Sequence, residues 1–180
     1  MIDESMILEF VEPFYRKKDI MHDLSHIKRV SYTLENLNIE FEGLFDYDIL
    51  RLALYFHGFI YSYEDIIRNW LKDKGYDEKK IKYIIKVAWE SQKETEPETL
   101  EGKLLHDAHM IEGGKTYLIV KSLITGSVRG QSLEKTIGYI EENVIGNGRC
   151  YLPNAQHIYD EQQKFASEFI KDLKEGICMY

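Results

Sequence analysis

Apolar residues in this chain return almost everywhere at intervals of three and four, and almost nowhere in strict alternation. That period limits the fold more than any other feature. A 3.6-residue repeat buries one face of a helix, whereas a half-buried strand needs a repeat of two. Leu133, Ile137, Ile140 and Val144 form one such stripe in "SLEKTIGYIEENVIG", with Ser132 placed to cap the helix and Gly146 to end it. Phe165, Phe169, Leu173 and Ile177 form another in a last helix opened by Pro153 and Asn154. The segment "TYLIVKSLI" (116–124) is apolar on most sides and predicts a central helix, and "TEPE" (95–98) matches a capping box that predicts a helix start near Glu96. Further helices are expected near 3–17, 23–37, 46–60, 63–74 and 77–90. The chain is therefore expected to be all-α.

Its 180 residues suit one domain, 1–180, with a sizeable core, and three prolines with no Gly/Ser tract leave no evident linker. A net charge of −8 argues against a nucleic-acid polymer as partner, because phosphate backbones are held by a surplus of Lys and Arg. A small phosphorylated molecule stays open, since one local Arg or a metal can offset the global sign. Cys150 and Cys178 lie in no C-x-x-C pair and are expected to be reduced thiols. The opening "MIDESMILEFVEPFYRKK" is acidic where a signal peptide is basic, and no run approaches the ~18 apolar residues of a membrane span. A cytoplasmic protein without a membrane partner is expected.

Helical angles sort the polar residues. His57 lies three residues after Leu54 and seven after Leu50, on the apolar face of its helix. Asp107 stands in the same relation to Leu104 and Leu100, although an unpaired buried carboxylate is expensive. By the same wheel His109 points nearly opposite to Asp107 and His106 well to one side. In "MHDLSHIKRVSYTLENL", His26 lies at the edge of the face set by Leu24, Ile27, Val30, Leu34 and Leu37, with His22 and Arg29 farther out. Three helices thus aim His26, His57 and Asp107 inward. Two imidazoles and a carboxylate suit Zn, Mn or Fe with positions left open. A buried His57–Asp107 hydrogen bond, with His26 on the surface, would satisfy the same pattern.

These residues resemble the HD superfamily of metal-dependent phosphohydrolases, whose pattern is a His, then a His-Asp doublet, then a distant Asp, all on helices. "HDLSHIKRV" (22–30) is similar to the family's H-D-x-x-H-x-x-R-V, "LALYFHGFIY" (52–61) to the doublet helix, and "PETLEGKLLHDAHMIEGG" (97–114) to P-E-T-L-E-G-K-I-L-x-D-A-D-x-L-x-x-x-G. The resemblance covers about residues 20–175. It implies an HD-type helical bundle, with a divalent ion held by His26, His57 and Asp107 activating water against a phosphoester. Arg29 and His22 would then contact the phosphorylated substrate, and Tyr55, Tyr61 and Tyr63 could line a base.

The departures matter as much. The doublet reads His57-Gly58, His-Ser has become Glu90-Ser91, and D-A-D-R-L has become Asp107-Ala108-His109-Met110-Ile111. The ligand set makes Zn, Mn or Fe expected ahead of Mg, and losing a hard anionic ligand weakens Mg or Mn more than Zn or Fe. Glu64 is a candidate replacement acid, although acids at a helix start are also favoured by its dipole. Glu90 could stand where the family His would. The alternative to hydrolysis is a degenerate HD module that binds a nucleotide or metal as a sensor or scaffold.

Overall fold

The computed structural model describes residues 2–178. Among them are nine α-helices and no strand: α1 (Glu4–Tyr15), α2 (Leu24–Asn38), α3 (Tyr47–Phe56), α4 (Ile60–Asp73), α5 (Glu78–Glu90), α6 (Leu100–Met110), α7 (Gly114–Val128), α8 (Leu133–Asn143) and α9 (Pro153–Gly176), with a 3-10 turn at Ile39–Phe41. Many starts are capped by the side chain preceding them. Asp3, Asp23, Asp46 and Asp77 each accept a backbone N–H from the first turn, as do Thr99 and Ser132. Part of the acidic surplus is thus spent on orphan amides and helix dipoles.

α1 to α6, with the start of α9, enclose the main core. α6 runs through it, packed against α2, α3, α5 and α9. A smaller cluster of Ile137, Ile140 and Ile170, with Leu123 against it, joins α7, α8 and α9.

Four expectations are corrected. α7 is peripheral, with only Ile119 and Gly126 buried, because it packs mainly on α8 and α9. α6 starts at Leu100 instead of Glu96, since Thr99 is its N-cap and Glu90 takes up the amides of Glu98 and Thr99. α9 buries Ala155, Tyr159, Gln162, Ala166 and Ile170, one position along from the Phe165–Phe169 stripe, and leaves Phe169 exposed. Finally, the helix of 46–60 ends at Phe56, so that His57 caps it and Gly58 lies in the turn to α4.

Candidate metal centre

His26 projects from the first turn of α2, His57 sits at the C-terminus of α3, and His109 lies in the last turn of α6. Their rings form a nearly equilateral triangle, with centroids 5.1, 5.1 and 5.2 Å apart. One nitrogen from each falls within 4.8 Å of the others, and His26 and His57 are buried. His57 is fixed at both ends. Its N–H bonds to Ala53 and its carbonyl accepts from Gln92 Nε2 at 3.0 Å.

The protons can be placed from the partners. His57 Nδ1 faces the Leu54 carbonyl and His109 Nδ1 faces the Ser91 carbonyl at 3.4 Å; a carbonyl only accepts, so both nitrogens carry hydrogen. His26 Nδ1 lies 2.9 Å from Glu112 Oε1 in a bent ion-pair contact that falls short of a good hydrogen bond. A bare lone pair so close to a carboxylate would be repelled, so this Nδ1 is protonated too. The three Nε2 atoms are then left as lone-pair donors. Those of His26 and His57 face one another at 3.0 Å. Two lone pairs at that distance repel unless a cation or a proton lies between them.

A proton is disfavoured there. Burial, then the neighbouring His26, pushes the His57 pKa down to about 3. Burial likewise lowers His26, and lowers His109 well below the ordinary imidazole value. The residues therefore fit a metal ion better than an imidazolium.

Behind the rings lies Glu112. Burial alone would raise its pKa, but His26 and Lys121 outweigh it and hold the carboxyl well below the usual range. Arg29 Nε donates to Oε1 at 2.7 Å and Lys121 Nζ to Oε2 at 2.7 Å. A carboxylate behind a ligating imidazole fixes its tautomer and orientation. The turn that aims Glu112 inward contains Gly113 and Gly114 at φ +73° and +76°, and a Cβ at Gly113 would run into the Tyr117 ring. Glycine is needed there.

Asp107 is fully buried as the wheel required, yet it lies outside this cluster. Its carboxylate accepts from Tyr151 N at 2.8 Å and Leu152 N at 2.7 Å, and His106 Nδ1 lies 2.9 Å away. It ties α6 to the start of α9, with its oxygens already taken. The single-stripe wheel failed for α6 because this helix is packed on several sides, burying Glu101, Gly102, His106 and Asp107 along with its leucines. His106 therefore meets Asp107, and His109 joins His26 and His57.

The other candidates are also engaged elsewhere. Glu64 pairs with Arg68 at 2.7 Å and accepts from Trp89 Nε1 at 2.6 Å; the Trp89 bond, outweighing a slight burial effect, lowers its pKa. Glu90 is buried against α6, accepting from the amides of Glu98 and Thr99 and from the Thr99 hydroxyl. Arg29 spends its fork on Glu112, on Ser25 Oγ at 2.6 Å and on the Met21 carbonyl at 3.1 Å. His22 bonds to Asp19 at 2.8 Å and stands at the rim of a cavity.

That cavity, about 320 Å³, opens beside His109 between α7, α8 and α9. Lys93, Lys121, Arg129 and His22 line it, with Tyr139 and Tyr159, and among the described residues no Asp or Glu does. In a chain of net charge −8 this is a local cationic surface beside His109, the one member of the triangle that reaches the cavity. A larger groove of about 510 Å³ between α2 and the start of α9 contains none of the three histidines. Sequence reasoning missed the cavity cations altogether. It passed over His109, although that residue stands where the family's second acid was noted as missing.

Gly58 proves to be occupied space. Tyr15, from the end of α1, lies against it; the phenol donates to the Tyr55 carbonyl at 3.0 Å and accepts from Gly58 N at 3.2 Å. A Cβ at position 58 would sit 2.5 Å from the Tyr15 oxygen. Lys18 caps the turn by donating to the Gly58 carbonyl.

No protein-family model matches the chain, and no curated protein matches its sequence. Solved structures do match in shape. An HD-superfamily hydrolase from Bacillus thuringiensis superposes with a TM-score of 0.70 over 95% of each chain at 17% identity. The chain has the fold of an HD-superfamily hydrolase. YpgQ of Bacillus subtilis, solved in complex with ADP, shares the HD-type architecture of this chain with a TM-score of 0.73 at 18% identity, over 97% of this chain and 98% of its own. Lin1889 of Listeria innocua matches with a TM-score of 0.69 at 20% identity, over 99% of both chains. Among the described residues of this HD-type bundle, no helix is long and apolar enough to cross a membrane.

Proposed function

We propose that this HD-fold protein is a metal-dependent phosphohydrolase of small phosphorylated molecules, with nucleotides the first class to test. The observation that carries this reading is the convergence of three imidazoles, one nitrogen of each within 4.8 Å of the others, beside a cavity lined by cations and neutral groups. His26, His57 and His109 would hold a divalent ion, which supplies Lewis-acid activation of water and neutralises charge at a phosphoryl group. Glu112 orients His26 and keeps its proton on Nδ1. Lys121, Lys93 and Arg129 would bind phosphate oxygens, with Tyr139 or Tyr159 against an apolar portion of the substrate. The ADP complex of YpgQ supports the nucleotide class.

A second reading has an observation of its own: Tyr15 fills the place where the doublet acid would stand, which favours binding without turnover. The test assays purified protein, stripped and reloaded with Zn(II), Co(II) or Mn(II), on a panel of nucleotides and phosphomonoesters, with ADP binding followed calorimetrically. Hydrolysis abolished in folded His57→Ala supports the phosphohydrolase. ADP binding without turnover under every metal would replace it with the sensor or scaffold reading, and absence of both metal and nucleotide binding would remove both.

A further inference from the structure

The donor set at the centre differs in charge from the two-histidine, two-carboxylate pattern that the sequence resembles. Among the described residues no carboxylate oxygen is free to join the three imidazoles. Both oxygens of Glu112 are held, one by Arg29 with His26 beside it and the other by Lys121. Those of Asp107 are held by the amides of Tyr151 and Leu152. Position 58 has no side chain, and the Tyr15 ring excludes one. The Nδ1 atoms of His57 and His109 face carbonyls and that of His26 lies 2.9 Å from the Glu112 carboxylate, so the inward-facing set is three neutral nitrogens.

We propose that His26, His57 and His109 form a neutral, one-ion centre of three imidazoles that takes a nitrogen-preferring divalent cation of the Zn or Ni class and discriminates against Mn and Mg. The inference rests on reading the cluster as a metal centre. Its physical basis is the donor type. Imidazole suits Zn, Ni, Cu and Fe, whereas Mg and Mn are held by carboxylates, carbonyls and water. A second ion would need a bridging acid, and position 58 supplies none. Exchange of the doublet acid for Gly58 with Tyr15, and of the second D-A-D acid for His109, change the site in one direction: both remove negative charge from around the ion.

Nearly any mixed site ranks Zn above Mn, so the ranking alone decides nothing. The informative quantity is how the Zn:Mn affinity ratio moves when one imidazole becomes a carboxylate. Full-length protein stripped by chelator is dialysed to equilibrium against Zn(II) or Mn(II), for the natural chain, His109→Asp and His26→Ala, with folding checked by circular dichroism. X-ray absorption is measured on the Zn-loaded natural chain. The expected results are one Zn per chain, three imidazole rings in its scattering shell, loss of that ion in His26→Ala, and a Zn:Mn ratio at least about 10-fold lower in His109→Asp. Two ions at the cluster, a shell dominated by carboxylate oxygen, retention of the ion in His26→Ala, or an unmoved ratio would each overturn the proposal. Since the first two results come from the natural chain, a misfolded variant does not shelter it. One ion that prefers Mn would overturn this inference while leaving a metal centre in place. No ion of any kind would overturn both.

Discussion

Replacing Gly58 with alanine isolates the most unusual contact in this molecule. Gly58 is absent from the glycines with positive φ, so its backbone does not demand glycine. At such a position Gly→Ala ordinarily stabilises by about 0.4–1 kcal/mol, by restricting the unfolded chain. Here the added Cβ would lie 2.5 Å from the Tyr15 oxygen, 2.8 Å from Cε1 and 2.9 Å from Cζ. Tyr15 cannot yield easily. It is fully buried, packs edge-on to Phe59 with centroids 5.6 Å apart, and its hydroxyl is bonded on both sides. Overpacking of this kind costs about 1–3 kcal/mol, and loosening a buried hydrogen bond adds about 1 kcal/mol. Gly58→Ala should therefore destabilise by about 2–3 kcal/mol in urea unfolding followed by far-UV circular dichroism, opposite in sign to the backbone expectation. Tyr15→Leu also destabilises by creating a cavity, but the double variant should be at least about 1 kcal/mol more stable than the two single effects predict in sum. A stabilised Gly58→Ala protein, or strict additivity with Tyr15→Leu, would refute the claim that the tyrosine occupies the acid's place. The same packing predicts that Gly58→Asp alone does not rebuild a doublet.

Asp107→Asn should cost about 2–3 kcal/mol by weakening the bonds to the Tyr151 and Leu152 amides, yet leave the bound metal unchanged; loss of the ion from folded Asp107→Asn would return Asp107 to the ligand set. Stability of the metal-free protein should fall in mild acid. The folded pKa of His57, about 3, is below its ordinary 6.5, so the unfolded chain takes up that proton first, and the contribution is complete above pH 6.5 and declines as pH drops toward 3. The slope is half of about 1.4 kcal/mol per pH unit at pH 6.5 and approaches the full value below it, so His57 alone should cost about 1.5 kcal/mol between pH 6.5 and 5, with the like-signed shifts of His26 and His109 adding to the loss; flat urea midpoints across that range would contradict this. Lys93→Ala and Arg129→Ala should each raise KM for a phosphorylated substrate about 10-fold with kcat nearly unchanged, whereas a fall in kcat at constant KM would show that these side chains do not bind the ground-state phosphate.

Local physics carried much of this molecule into view from sequence. The apolar period implied an all-α chain, Ser132 and Pro153 marked the starts of α8 and α9, and the angles of His57 and Asp107 placed both side chains in the interior. These depend on residues one to seven apart along one helix, where spacing is fixed by helical geometry. What a buried polar side chain meets depends instead on elements far away in sequence. Asp107 and His57 point inward alike, but one meets the amides of residues 151 and 152, and the other meets His26 and His109. α6 has neighbours on several sides, so no single stripe defines its inside, and His109 became a candidate ligand only once α2 and α3 were in place. Tyr15 lies 43 residues from Gly58 and outside the stretch that carries the family resemblance. The sequence alone determined that an acid is missing at position 58. Only the packing of α1 against α3 decided that a tyrosine stands in its place, because an empty position and a filled one look the same until the chain is folded.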